Sequence, residues 1–189
     1  MSDAGRPVPV LRAAVQLLRR HWRAAYLTSL AATLVNTVPD VLRQVLVWDD
    51  PRVSAAVAVD VLGFATALVA QLWVTGALAE LPSTGRPAPA GALPRGTGLA
   101  WRAVRTAPGT VLAGVVCGGA VSAVLTIPAS VAALGLQRVL GPLDAPGVGA
   151  FTVATVSDLV ASAVTLPFLA LVLVLVATGG RLGAHPAGQ

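Results

Sequence analysis

Residues 148–181 read VGAFTVATVSDLVASAVTLPFLALVLVLVATGGR. Between Val148 and Thr178 the one charged side chain is Asp158, and the stretch from Phe168 to Ala177 is apolar without a break. A helix rises about 1.5 Å per residue, so a run of this length exceeds the roughly 30 Å hydrocarbon core of a bilayer. It is also too evenly apolar to be one face of a soluble helix. The stretch predicts a membrane-spanning helix, closed by Gly179, Gly180 and Arg181.

Three more such stretches lie upstream. One covers about Thr110 to Leu136, broken late by Pro128, and is followed by a turn holding Arg138, Gly141, Pro142, Asp144, Pro146 and Gly147. Another runs from about Val53 to Leu81, with Asp60 and Gln71 as its strongly polar side chains. The first extends from Ala24 to about Val47 and contains Asn36, Pro39, Asp40 and Arg43. Up to Val38 it would give only about 22 Å of helix, so the helix is expected to continue, kinked, beyond Pro39. The Thr37 hydroxyl is placed to satisfy a carbonyl freed by the proline. Asp40 and Arg43, three residues apart, are expected to pair. Trp48, Asp49, Asp50, Pro51 and Arg52 then form a polar turn.

The whole chain agrees with this reading. Of its 189 residues 56% are hydrophobic and only 11% charged, and its mean hydropathy is +0.79. A globule of this size lacks the polar side chains to cover itself, which excludes an ordinary soluble domain.

Two segments outside the spans are amphipathic. In residues 1–23, Leu11, Val15, Leu18 and Trp22 recur at helical spacing beside Arg12, Gln16, Arg19 and Arg23. An apolar stripe ending in Trp next to an Arg-rich face is the pattern of a helix lying in the membrane interface; a cleaved signal peptide is the alternative. Pro82 to Gly98 reads as a Pro/Gly-rich loop. Leu99 to Ala107, with Trp101 and Val104 beside Arg102 and Arg105, reads as a second interfacial helix ended by Pro108 and Gly109.

The expected fold is therefore all-α: a polytopic transmembrane helix bundle of four spans with two cytoplasmic-side interfacial amphipathic helices. Its segments are 1–23 (amphipathic N-terminal segment), 24–81 (first helical pair), 82–109 (loop and second interfacial helix), 110–178 (second helical pair) and 179–189 (tail). All 13 basic residues are arginine. Arg6, Arg12, Arg19, Arg20, Arg23, Arg86, Arg95, Arg102, Arg105 and Arg181 fall on the side of the termini, and only Arg43, Arg52 and Arg138 on the other. This bias predicts a cell inner (plasma) membrane protein with both termini cytoplasmic.

The halves resemble one another. Each opens with a Trp-Arg amphipathic segment (Trp22 or Trp101), passes through a span ending in Thr37-Val38-Pro39 or Thr126-Ile127-Pro128, and follows with a span carrying one early Asp, Asp60 or Asp158. Such landmarks suggest a parallel two-fold internal repeat.

Asp60 and Asp158 are the candidate intramembrane polar site, because a carboxylate near the centre of a span costs about 2.5–3.5 kcal/mol on insertion scales. Small residues share their faces (Ala56, Gly63 and Ala67; Ala150, Ala154 and Ser162), so both are expected to point into the bundle. They could form a proton or cation site, or serve packing. Gly114, Gly118 and Ser122 form a GxxxG-type helix-packing face, either within the chain or against a second copy. Trp22, Trp48 and Trp101 with Arg19, Arg20, Arg23, Arg102 and Arg105 are the expected interface anchors, facing anionic lipid headgroups.

The arginines flank spans and accompany Trp, which argues against nucleic acid as a partner. A homo-oligomer or another membrane protein remains the candidate partner. Cys117 is the lone cysteine, and His21 and His185 lie far apart without a second ligand, so no metal or other cofactor is expected. No GxSxG, Walker or HExxH motif occurs, and no catalytic residue is assigned.

The amphipathic segment Leu18-Arg19-Arg20-His21-Trp22-Arg23 leading into a span, and a late span carrying Thr165-Leu166-Pro167-Phe168 before an apolar run that closes on Arg181, carry a resemblance. The chain resembles the membrane part of the actinobacterial glycerophosphoryl diester phosphodiesterase membrane-domain family. That family's ending, of Tyr-x-Asp-x-Arg type, is here Ala177-Thr178-Gly179-Gly180-Arg181, which keeps the Arg alone. The resemblance implies a membrane domain without a catalytic domain and no hydrolase activity. The expected function is a non-catalytic structural or accessory membrane role, the alternative being a small transporter component using Asp60 and Asp158.

Overall fold

The computed structural model describes residues 7–50, 52–134 and 147–179. These form seven helices and no strand: α1 (Pro7–Arg20), α2 (Trp22–Leu46), α3 (Val53–Ala77), α4 (Leu81–Thr84), α5 (Ala92–Thr106), α6 (Pro108–Leu134) and α7 (Val148–Ala177). Three segments are long and apolar enough to cross a membrane: Val57–Thr84, Pro108–Ala133 and Val148–Ala177. The first expected span corresponds to α2, which has 25 residues. Arg23, Asn36, Asp40, Arg43 and Gln44 make it less apolar than the other three. The turn at residues 137–146 and the tail from Gly180, including Arg138, Asp144, Arg181 and His185, lie outside the described residues.

The bundle is organised around the second half of α7. Pro167 and every residue from Ala170 to Ala177 are buried, and α1, α2, α3, α5 and α6 all pack against α7. A helix without a polar face is stable only when covered on every side by protein or lipid. Here the apolar run that predicts a span is largely sheathed by protein, whereas α6 keeps Leu112, Val116 and Val124 exposed.

Three of the helices pass through an internal proline: Pro39 in α2, Pro128 in α6 and Pro167 in α7. As expected, α2 continues beyond Pro39. Each proline follows a threonine two residues earlier, and each threonine donates to the carbonyl four residues before itself: Thr37 to Thr33 at 2.9 Å, Thr126 to Ser122 at 3.0 Å and Thr165 to Ala161 at 2.8 Å. This corrects the expectation for Thr37. The carbonyl deprived of its donor by Pro39 belongs to Val35, only two residues before Thr37, whereas a helical hydroxyl reaches back a full turn.

The segments at the α1/α5 end differ from expectation. α1 stops at Arg20, and His21 adopts φ −119° and ψ 33°, so Trp22 begins α2 instead of ending the amphipathic helix. Residues 82–98 are not simply a loop. α4 covers Leu81–Thr84, and α5 starts at Ala92 instead of Leu99. Pro94 lies in the first turn of α5, where a missing amide donor costs nothing, and of the two glycines that weaken helix propensity Gly96 is needed for packing.

That packing is close. An added Cβ at Gly96 would stand 1.8 Å from the Leu72 carbonyl oxygen, and one at Gly76 1.8 Å from that of Ala92. The backbones of α3 and α5 therefore touch. Arg95 secures the crossing: Nη1 donates to the carbonyls of Gly76 (3.0 Å) and Ala88 (3.1 Å), and Nη2 to that of Ala90 (2.9 Å). Glu80 lies 3.7 Å from the same guanidinium.

Candidate polar site at the α2–α3 turn end

Asp40 and Arg43 occupy one face of α2 because three residues make nearly one helical turn. The guanidinium bonds the Asp40 carboxylate through Nη2, as expected from their spacing, and Nη1 donates to the Thr66 hydroxyl of α3 at 3.2 Å. Thr66 in turn donates to the Gly63 carbonyl at 3.0 Å. Gly63 makes room for this arrangement, since a Cβ there would stand 3.2 Å from Arg43 Nη2. The Arg43 side chain is only 12% exposed and that of Asp40 34%. Arg43 Nε and Gln44 Oε1 are buried without a partner among the described residues.

Asp158 on α7 lies within electrostatic reach of Asp40. The cluster thus joins one carboxylate and one guanidinium of α2 to a threonine of α3, with Asp158 of α7 close enough to feel the Asp40 charge.

Asp60 is not part of it. Its side chain is exposed, as are Val57, Val61, Leu62 and Phe64 around it, so the expectation that it points into the bundle fails. Small neighbours did not decide its direction, because this half of α3 is only loosely covered, whereas the other half is sheathed by α5 and α7. Asp158 is likewise exposed, so the same expectation fails for it. The charge that Asp158 senses is that of Asp40, a residue expected to act only within its own ion pair.

The GxxxG face divides. Gly114 is buried against α7, where a Cβ would stand 3.0 Å from Val172 Cγ1 and 3.4 Å from Leu169 Cδ1. At Gly118 an added Cβ would meet nothing within 4 Å, and Ser122 is half-buried. Besides Arg43–Thr66 and Arg95–Gly76, two more interhelical polar contacts escaped sequence reading. Gln71 Nε2 donates to the Leu166 carbonyl of α7 at 3.4 Å, one residue before Pro167, and Ser157 Oγ donates to the Leu125 carbonyl of α6 at 3.2 Å. Both acceptors are backbone carbonyls, which leave no mark in a sequence.

The anchor residues separate by depth and partner. Arg23 stacks over Trp22 with its guanidinium carbon 5.3 Å from the ring centroid, and Arg105 over Trp101 at 4.3 Å. Both indoles are more than half exposed, and Arg19, Arg20 and Arg102 at the same end are exposed as well. Trp48 instead packs edge-on against Phe151 with centroids 5.0 Å apart, fastening the α2–α3 turn to the start of α7.

In that turn, Arg52 donates to Asp50 from Nε (2.9 and 3.0 Å), from Nη2 (2.6 Å) and from its backbone amide (3.0 Å). These bonds, the side-chain ones foremost, hold the Asp50 carboxyl down at about 2. Because the folded value lies below the unfolded one, the pair stabilises the turn above the ordinary carboxylate range and that contribution disappears as pH falls towards 2. Carboxyl NMR should place the Asp50 midpoint near about 2, and Arg52→Gln should return it to the ordinary range. A wild-type midpoint near the ordinary value would refute the pairing.

No group of three or more His, Cys, Asp or Glu among the described residues is arranged to hold a metal ion. No protein-family model, curated protein or solved structure matches the chain.

Proposed function

We propose that this chain is a four-span inner-membrane protein with a non-catalytic, structural or accessory role, α2 being the fourth span. The observation that carries the role is how its interior polar groups are used. Gln71, Ser157 and Arg43 each tie one helix to another, and Thr75 donates back to Gln71 at 2.8 Å. Hydrogen bonds of this kind hold membrane helices together.

Several features support α2 as a span. Its 25 residues give about 37 Å of helix, and no charged residue lies between Arg23 and Asp40, leaving roughly 24 Å for the hydrocarbon core. The long arginine side chains at each end can reach the interface. α1 and α5, with their exposed arginines, then meet the anionic cytoplasmic leaflet together with the Trp22–Arg23 stack at the start of α2 and the Trp101–Arg105 stack of α5. The packing also suits a duplication. α1, which leads into α2, packs on α7, the last helix of the other half, and α5, which leads into α6, packs on α3. A role as the membrane part of a larger assembly is in keeping with the resemblance to phosphodiesterase membrane domains.

Reporter fusions after Asp50, Gly91 and Asp144 and at the C-terminus should read outside, inside, outside, inside. An external C-terminus would remove the four-span reading.

A transport role has one specific observation in its favour, that Asp158 on α7 lies within electrostatic reach of Asp40 on α2. Proteoliposomes carrying a pH-sensitive dye should show no proton flux above protein-free vesicles under an imposed gradient. Flux that is abolished by Asp158→Asn, in a variant that still folds, would establish transport in place of the structural role.

A further inference from the structure

We propose that the slot between α1, α2, α6 and α7 holds one acyl chain of an anionic phospholipid, with Arg12 binding its headgroup phosphate. The slot encloses about 540 Å³, and its walls include Val15, Tyr26, Cys117, Gly118 and Phe168 together with Arg12. Apart from Arg12, the groups facing it are almost wholly apolar, as an acyl chain requires.

Register fixes its depth. α6 begins at Pro108 and α7 ends at Ala177, and Cys117 and Phe168 each lie about ten residues from those ends, or about 15 Å along the helix. That is the depth of one leaflet of a roughly 30 Å hydrocarbon core. Tyr26 lies one turn inside the start of α2, at the headgroup end with Arg12, whereas the deeper Thr165 has its hydroxyl engaged by the Ala161 carbonyl.

Charge selects the occupant. Arg12 is exposed and forms no ion pair with a carboxylate of the described residues. A guanidinium suits a phosphate because its donors form a planar fork matching two phosphate oxygens. The second glycine of the GxxxG motif supplies the independent observation. Gly114 is used for helix packing, but Gly118 faces open space within the slot. Gly118 is itself buried, but the space an added Cβ would enter is empty to 4 Å, which leaves the width that a chain of methylenes needs. The inference rests on the membrane reading but not on which side the termini occupy.

The test uses the full chain purified in maltoside micelles, with added phosphatidylglycerol or phosphatidylcholine and native mass spectrometry as the readout. One phosphatidylglycerol per chain should be retained in preference to phosphatidylcholine. Arg12→Gln, a surface change that should not disturb folding, should lower that retention about fivefold. Gly118→Leu should remove the bound lipid by filling the slot. Cys117 is the only cysteine in the chain and lines the slot, so phosphatidylglycerol should also slow its reaction with N-ethylmaleimide, and should fail to do so in Arg12→Gln.

Equal retention of the two lipids, retention unchanged by Arg12→Gln, or displacement of phosphatidylglycerol by free myristate would each overturn the proposal. Even if Gly118→Leu does not fold, the Arg12→Gln and Cys117 measurements decide it. Recovery of the chain from the soluble fraction without detergent would overturn the membrane reading itself, whereas a membrane-extracted chain without bound phosphatidylglycerol would overturn the slot alone.

Discussion

Gly76→Ala and Gly96→Ala should each destabilise the protein by about 3 kcal/mol or more, towards the upper end of overpacking costs. At both positions the new Cβ would stand 1.8 Å from a carbonyl oxygen, well inside any contact distance. A flexible side chain could swing aside, but here the obstacle is the backbone of the opposite helix, so α3 and α5 must separate. Separation would also break the bonds from Arg95 to the Gly76 carbonyl and to the Ala88 carbonyl. In a domain of this size each kcal/mol lowers Tm by about 2–4 °C, so a fall of roughly 6–12 °C is expected for either variant in detergent. Because both substitutions open one contact, the double variant should cost less than the sum of the two. Gly114→Ala presses only on a Val172 methyl and should cost about 1 kcal/mol. Gly118→Ala meets open space and should be neutral or stabilise by up to about 1 kcal/mol, because Ala is the better helix former. Equal Tm values for Gly76→Ala and Gly118→Ala would refute the close approach.

The same glycines show what the sequence could and could not convey. With 19 glycines in the chain, nothing local distinguishes Gly96, which a neighbouring backbone requires, from Gly98, whose added Cβ would meet nothing. The residue at the crossing is set by the relative placement of two helices, and that placement is a tertiary property. The apolar runs of α6 and α7 were legible because burial in lipid or protein demands the same composition over many residues. The Asp40–Arg43 pair was legible because both members sit on one helix at fixed spacing. Its extension to Thr66 was not, since it depends on which face α3 presents to α2. Asp60 was misread for a related reason. A small-residue face permits close packing but does not decide it for every member: Gly63 meets Arg43 of α2, while Asp60 stays exposed.

Removing the cation from the polar cluster tests whether that cluster is a buried structural element. Arg43→Met leaves the Asp40 carboxylate with its partner gone and Asp158 still within electrostatic reach. Breaking a buried ion pair from one side costs about 3–5 kcal/mol, because the remaining charge is stranded. Asp40 is a third exposed, so water relieves part of that cost and about 2–3 kcal/mol is expected. Arg43→Lys should fall between wild type and Arg43→Met, since one ammonium on a shorter stem cannot reproduce the fork that bonds Asp40 and Thr66 together. Thr66→Ala removes a single neutral acceptor and should cost only about 0.5–1.5 kcal/mol. The double variant Asp40→Asn with Arg43→Met should recover most of the loss, because no charge remains to be stranded. Asp158→Asn should raise stability in the Arg43→Met background more than in wild type, where the guanidinium already offsets the second carboxylate. Were the pair merely a surface contact, Arg43→Met would cost less than about 1 kcal/mol and the double variant would recover nothing. Thermal unfolding of these variants therefore separates a cluster that fastens α2 to α3 from two charges that happen to meet at the surface.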